Sequence, residues 1–192
     1  RGIGAFQEAD QIAFAAPGCK WTAQVDRSER IPELLHLALG RSTSGRPGAV
    51  YLDFPGHYVA RRVAPESAPL RLSSPRIAGP HPDMAALERI ADLLASAERP
   101  LLIVGKGAAW ADAGAPLERL VSLGIPYLTS PMGRGVVPDD NPCFVNAARS
   151  TALREADAIL MLGGRFNWIF GFGRSPRYRE NVRIAQIDVE AE

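Results

Sequence analysis

The sequence has 192 residues, 46% of them apolar, and its 22 basic and 21 acidic residues nearly cancel. Basic runs are no longer than Arg61-Arg62, no apolar stretch reaches membrane-spanning length, and no signal peptide is visible, which argues against nucleic acid and membrane partners. Cys19 and Cys143 lie far apart without metal-type spacing, which predicts reduced thiols in a cytoplasmic protein.

In chain order, residues 7–16 suit an amphipathic helix with Phe14 near its end and Pro17-Gly18 stopping it. Residues 19–25 suit a short strand. Ile31, Leu34, Leu35, Ala38 and Leu39 fall at helical spacing and predict a helix over 31–39, with Ser28 and Pro32 placed to start it. The stretch GRPGAVYLDFP turns into a strand over 49–54, closed by Pro55. Pro65, Pro69, Pro75, Pro80 and Pro82 then rule out a continuous helix or central strand, so residues 64–82 read as a linker between domains. The chain starts inside a turn and helix and stops just past a strand, which gives the expectation of a piece of a longer protein.

Beyond the linker, strands and helices alternate. Asp83 can cap a helix to about residue 97 with Leu87, Ile90, Leu93 and Leu94 on one face. There follow a strand at 101–104, a helix at 111–123, a strand at 126–128, a Gly-Pro loop, a helix at 151–156, and strands at 158–162 and 183–189. This alternation predicts an α/β fold, a doubly wound parallel sheet whose ligands lie beyond the carboxyl ends of its strands.

The segment RPLLIVGKGAAWADAGAPLERLV, residues 99–121, reads as strand, glycine turn and helix. Gly105 and Gly107 permit the turn and would leave amides free for an anion at the helix start. The dinucleotide fingerprint is incomplete, because Trp110 fills the third small position and the next strand runs into Thr129-Ser130-Pro131 without an acid. This motif by itself leaves a phosphate cradle and a merely tight turn both open. The strand ends together bring Gly105, Lys106, Gly107, Gly133, Arg134, Gly163, Gly164, Arg165, Asn167 and Asp188 to one rim. Glycines, cations and a terminal acid suit a nucleotide better than simple helix capping. Among the remaining conspicuous residues, His36 lies among leucines and reads as packing, and His57 and His81 fall in a turn and the linker. Ser150 has no Ser-His-Asp context, and no His/Cys/Asp cluster has metal spacing.

The stretches GAFQEADQIAF, GRPGAVYLDFP, RPLLIVGKGAAWADA, IPYLTSPMGRGVVPDDNP, NAARSTALREADAILMLGGRFNWIFGFG and RIAQIDVE, in that order, resemble the thiamine-diphosphate-dependent enzymes. More narrowly they are similar to the branch that holds 2-hydroxyacyl-CoA lyase and oxalyl-CoA decarboxylase. The resemblance implies that residues 1–63 are the C-terminal part of a pyrimidine-binding domain. Residues 64–82 would then be a linker, and 83–192 a Rossmann-like central domain truncated at its C-terminus. It implies a parent lyase or decarboxylase that uses thiamine diphosphate and magnesium, acts on acyl-CoA thioesters, and assembles as a dimer or tetramer. The family's activating glutamate and its Gly-Asp-Gly metal motif have no counterpart in this chain, so no catalytic residue is assigned and the fragment alone is expected to be inactive.

By position in the family, the turn of Gly105, Lys106 and Gly107, with Gly163 and Arg165, would face phosphates of ADP or CoA. Asp188 would approach a ribose, and Arg149 and Ser150 with Asn167 would form a CoA-facing surface. The acetolactate synthase branch, with FAD in the same domain, is the alternative enzyme, and a non-catalytic nucleotide-binding module is the alternative from another class. The stretch IFGFGRSPRYRE is only loosely like its relatives. In the first segment Leu34, Leu35, Leu39 and Val50 are expected to be partly uncovered.

Overall fold

The computed structural model describes residues 2–4, 6, 8–70 and 79–190. Gln7 and residues 71–78, the middle of the predicted linker, lie outside them. The chain divides into two units, Arg1–Gly79 and Pro80–Glu192.

In the first unit, α1 (Gln11–Ala15) starts where the Asp10 carboxylate accepts a hydrogen bond from the Ala13 amide at 3.2 Å. It passes into a 3-10 turn over Ala16–Gly18 and ends there, as Pro17-Gly18 predict, with Cys19 already extended. β1 (Trp21–Gln24) and β2 (Val50–Asp53) pair in parallel, with Trp21 opposite Val50. Between them α2 (Ile31–Thr43) runs on past residue 39, through the buried Gly40, and ends where Ser44 leaves the helical region. Leu34 and Ala38 on α2 are buried, whereas Leu35 and Leu39 are 41% and 52% exposed. Leu34 is therefore covered, contrary to expectation. A short helix, α3 (Gly56–Val59), follows Pro55.

The second unit opens with α4 (Met84–Ala95), capped by the Asp83 carboxylate, which accepts from the Ala85 amide at 3.0 Å. After it come β3 (Pro100–Val104), α5 (Lys106–Trp110), α6 (Gly114–Val121), β4 (Tyr127–Thr129), α7 (Arg149–Glu155), β5 (Ala158–Leu162) and β6 (Arg183–Ile187). The helix predicted over 111–123 is thus two helices. Asp112 sits between them at φ 51°, a left-handed conformation that ends α5.

All four strands are parallel, in the order β4-β3-β5-β6. From β3 the chain steps to β4 on one side and then returns to β5 on the other. The sheet therefore changes direction between β3 and β5, the doubly wound arrangement. Uninterrupted apolar runs make β3 and β5 strands buried on both faces. On one face Leu101, Ile103, Ile159 and Met161 pack against Leu153 of α7 with Phe170 and Tyr178. On the other, Leu102, Val104 and Leu160 pack against Ala108, Leu117 and Val121, with Ile90 and Leu94 of α4. Each such Leu, Ile, Val, Met or Phe side chain contributes about 1.5–3 kcal/mol by burial. The result is a rigid sheet whose carboxyl ends align, with Val104 opposite Thr129 and Leu162, and Leu162 opposite Ile187.

Candidate functional site

The direction change places two glycine loops side by side at the carboxyl edge. A Cβ on Gly105 would come within 2.3 Å of the Gly163 carbonyl oxygen, and one on Gly107 within 2.7 Å of the Gly163 Cα. Gly163 itself has φ +60°, and its own Cβ would meet the Ala108 nitrogen at 2.4 Å. Only glycine permits this approach. The loops are also laced together: Gly105 N–H donates to Leu162 O at 2.8 Å, Gly107 N–H to Gly163 O at 2.7 Å, and Gly163 N–H to Ile187 O at 2.8 Å. The amides of Gly105 and Gly107 are therefore engaged in backbone hydrogen bonds, not free for an anion. The glycines serve close packing of the two loops, and any charge recognition at this edge falls to side chains.

Those side chains divide into two groups. Lys106 is exposed at the start of α5, and Arg165 is exposed in the loop after β5. Asp188 is half-buried directly after β6 and accepts from the Glu190 amide at 3.3 Å. Together with the glycines they share the rim formed by β3, β5 and β6. The second group gathers around the 3-10 turn Trp168–Gly173. The Asn167 side-chain oxygen caps that turn by accepting from the Ile169 amide at 3.0 Å. Arg149 donates to the Thr129 carbonyl at 3.3 Å and the Ile169 carbonyl at 3.4 Å, and its guanidinium lies 4.4 Å from the centre of the Phe170 ring. Ser150 is exposed beside it on α7. Burial first, and the nearby Arg177 second, hold the Arg149 guanidinium below its ordinary range.

Of the other rim residues, Arg134 is paired with Asp139 at 2.6 Å. Gly133 lies against β3, where a Cβ would meet the Val104 carbonyl oxygen at 2.2 Å. A cavity of about 300 Å³ opens between the α5–α6 turn and Arg134, Gly135 and Val136. Tyr178, buried with its hydroxyl unpartnered, is a residue that sequence reasoning passed over. The signal available was Pro-Arg-Tyr inside the loosely matching stretch 169–180.

The amino edge of the sheet is different. A cavity of about 460 Å³ there is floored by Pro100, Leu101, Pro126, Val145 and Ala152. In its lining Arg99 meets Glu155 at 3.0 Å, and beside it the Asp157 carboxylate accepts from the Glu98 and Arg99 amides at 3.0 and 2.9 Å. Among the described residues no group of three or more His, Cys, Asp or Glu could hold a metal ion. No helix among them is long and apolar enough to cross a membrane.

The chain is similar to human 2-hydroxyacyl-CoA lyase 1, with 42% identity over 99% of this chain and 33% of the relative. It is also similar to oxalyl-CoA decarboxylase of Escherichia coli K12, with 34% identity over 97% of this chain and 34% of that protein. The chain thus spans about a third of the length of the curated relatives it matches. A solved structure of a putative thiamin diphosphate-dependent enzyme from Mycobacterium smegmatis superposes with a TM-score of 0.70 over 92% of this chain and 35% of that one, at 23% identity, which shows a shared fold. Residues 87–192 match the family model described as thiamine pyrophosphate enzyme, central domain. That match covers more than half of the sequence, and the chain belongs to this family.

Proposed function

We propose that this chain is part of a thiamine-diphosphate-dependent carbon–carbon lyase or decarboxylase acting on 2-hydroxyacyl-CoA or oxalyl-CoA thioesters. In this reading the first unit is the end of a pyrimidine-binding domain, and the second is a central domain that holds ADP or the nucleotide of CoA. The observation that carries the nucleotide reading is the direction change between β3 and β5, where ligands of open α/β sheets bind. In this reading Lys106 and Arg165 would take phosphates through charge-assisted hydrogen bonds, and Asp188 would take a ribose hydroxyl. Arg149, Ser150 and Asn167 would flank the pantetheine side.

Thiamine diphosphate and magnesium do not fit the described residues, since these offer no metal-binding cluster. No chemical step is assigned to this chain; its residues bind and orient. The parent protein would be a homo-oligomer.

Thermal unfolding of the chain with ADP or CoA tests the nucleotide site. A ligand specific for the folded state at about 100 times its Kd adds about 2.7 kcal/mol. Lys106→Ala, on an exposed side chain, should leave the unliganded melting temperature unchanged and remove much of the ligand-induced rise. No rise with either ligand at millimolar concentration would overturn the reading. Purification with bound flavin would replace ADP and CoA by FAD.

A further inference from the structure

The cavity of about 460 Å³ at the amino edge lies at the far end of the strands from the nucleotide rim. Its volume falls within the range of small-molecule sites, about 300–1,000 Å³. The residues that bound it explain why it is not filled. β3 begins at Pro100, β4 is entered through Pro126, and α7 presents Ala152 to them. These side chains are short or cyclic, so the strand starts and the helix stay apart over an apolar floor that includes Leu101.

A second cavity, of about 330 Å³, shares Glu98, Arg99 and Glu155 with the first and continues to Arg154 and Arg179. Every side chain in its lining is charged. The Arg99–Glu155 pair, at 3.0 Å, therefore stands where apolar surface gives way to charged surface. Among the described residues, Arg154 and Arg179 are joined to no carboxylate. Three arginines against two glutamates leave this lining with one positive charge in excess. The Asp157 carboxylate next to it is held by the Glu98 and Arg99 amides and has Arg183 beside it, so it does not cancel that excess. Neither lining holds an aromatic side chain on which a base could stack.

We propose that the two cavities form one binding site for a small apolar monocarboxylate. Its hydrocarbon body would lie against Leu101, Pro126 and Ala152, and its carboxylate would accept hydrogen bonds from the Arg154 and Arg179 guanidinium groups. A single negative charge matches the excess in the lining, whereas a phosphate dianion would exceed it and meet the Glu98 carboxylate. The site does not depend on the nucleotide reading, because it lies at the opposite edge and takes no base.

Hexanoate is the probe, with hexanol as its uncharged counterpart, titrated into the whole chain at neutral pH and constant ionic strength. Calorimetry should show hexanoate binding about tenfold tighter than hexanol, as charge-assisted hydrogen bonds require. Ala152→Leu fills part of the floor and should weaken both ligands. Arg154→Gln and Arg179→Gln change exposed side chains, so the chain should fold as before. Each should weaken hexanoate binding severalfold and leave hexanol binding unchanged. No hexanoate binding at tens of millimolar, or equal binding of hexanol, would overturn the proposal. Hexanoate binding that survives both arginine variants would overturn it as well. A failed titration with ADP or CoA would bear on the nucleotide rim and leave this site standing.

Discussion

The two ends of the four-stranded sheet draw on similar residues and differ in how far their cations are paired with carboxylates. At the amino edge, Asp157 caps the Glu98 and Arg99 amides, Arg99 pairs with Glu155, and Arg183 donates to the Ser96 hydroxyl at 3.3 Å. At the carboxyl edge, glycines bring two loops into backbone contact, while Lys106, Arg149 and Arg177 have no carboxylate partner among the described residues. The amino edge has the cavity of about 460 Å³, against about 300 Å³ near the carboxyl edge. Volume alone would point to the amino edge. For a nucleotide, cations without carboxylate partners at a change of strand direction point to the other.

The comparison breaks most visibly at the glycines. Gly163→Ala puts a Cβ at φ +60° against backbone atoms at 2.4 and 2.5 Å, so the loops must separate. We expect a loss of about 3 kcal/mol or more, measured by urea unfolding. Gly124→Ala, at the amino edge, also has positive φ, +85°, but nothing within 4 Å of the new Cβ. It should cost only the backbone preference, about 1–2 kcal/mol. Equal losses would show that the close approach of the loops adds nothing to stability.

Next comes the acid that caps the amino edge. Burial tends to raise the Asp157 carboxyl, but hydrogen bonds from the Glu98 and Arg99 amides outweigh it and hold it below the usual carboxylate range. A depressed folded pKa contributes stability above the unfolded value, about 3.9, and loses it as pH falls through the lower folded value. Asp157→Ala should therefore cost about 1–2 kcal/mol at pH 7. The gap between the variant and the unsubstituted chain should narrow as the pH drops below about 4. A pH-independent gap would count against a role for the ionised carboxylate.

Much of this contrast was legible in the sequence, and the rest was not for physical reasons. β5 occupies the predicted residues 158–162, where a five-residue unbroken apolar run is long enough for a doubly buried strand and short for a helix. Asp83 caps α4 as its residue type and position imply. The rim residues could be named from strand ends alone, since the alternation of elements dictates which loops meet. The engagement of the Gly105 and Gly107 amides could not be read, because it depends on β5 supplying carbonyls from nearly sixty residues away. The division of residues 111–123 into α5 and α6 turns on one backbone angle at Asp112, which composition does not show. Tyr178 sits in a stretch with weak family likeness, and its burial and unpartnered hydroxyl are tertiary facts.

The smallest effect should come from the Arg99–Glu155 pair, whose side chains are 61% and 50% exposed. Arg99→Ala should change stability by less than about 1 kcal/mol. It should also leave ADP and CoA binding untouched. A clear loss of binding would move the site to the amino edge.

The most direct test of the central claim is to follow backbone amide resonances while ADP or CoA is titrated into the chain. The account predicts that the changes concentrate at residues 105–107, 163–167 and 188, with Lys106→Ala suppressing them. Changes confined to residues 98–101, 124–126 and 148–156, around the amino-edge cavity, would contradict it.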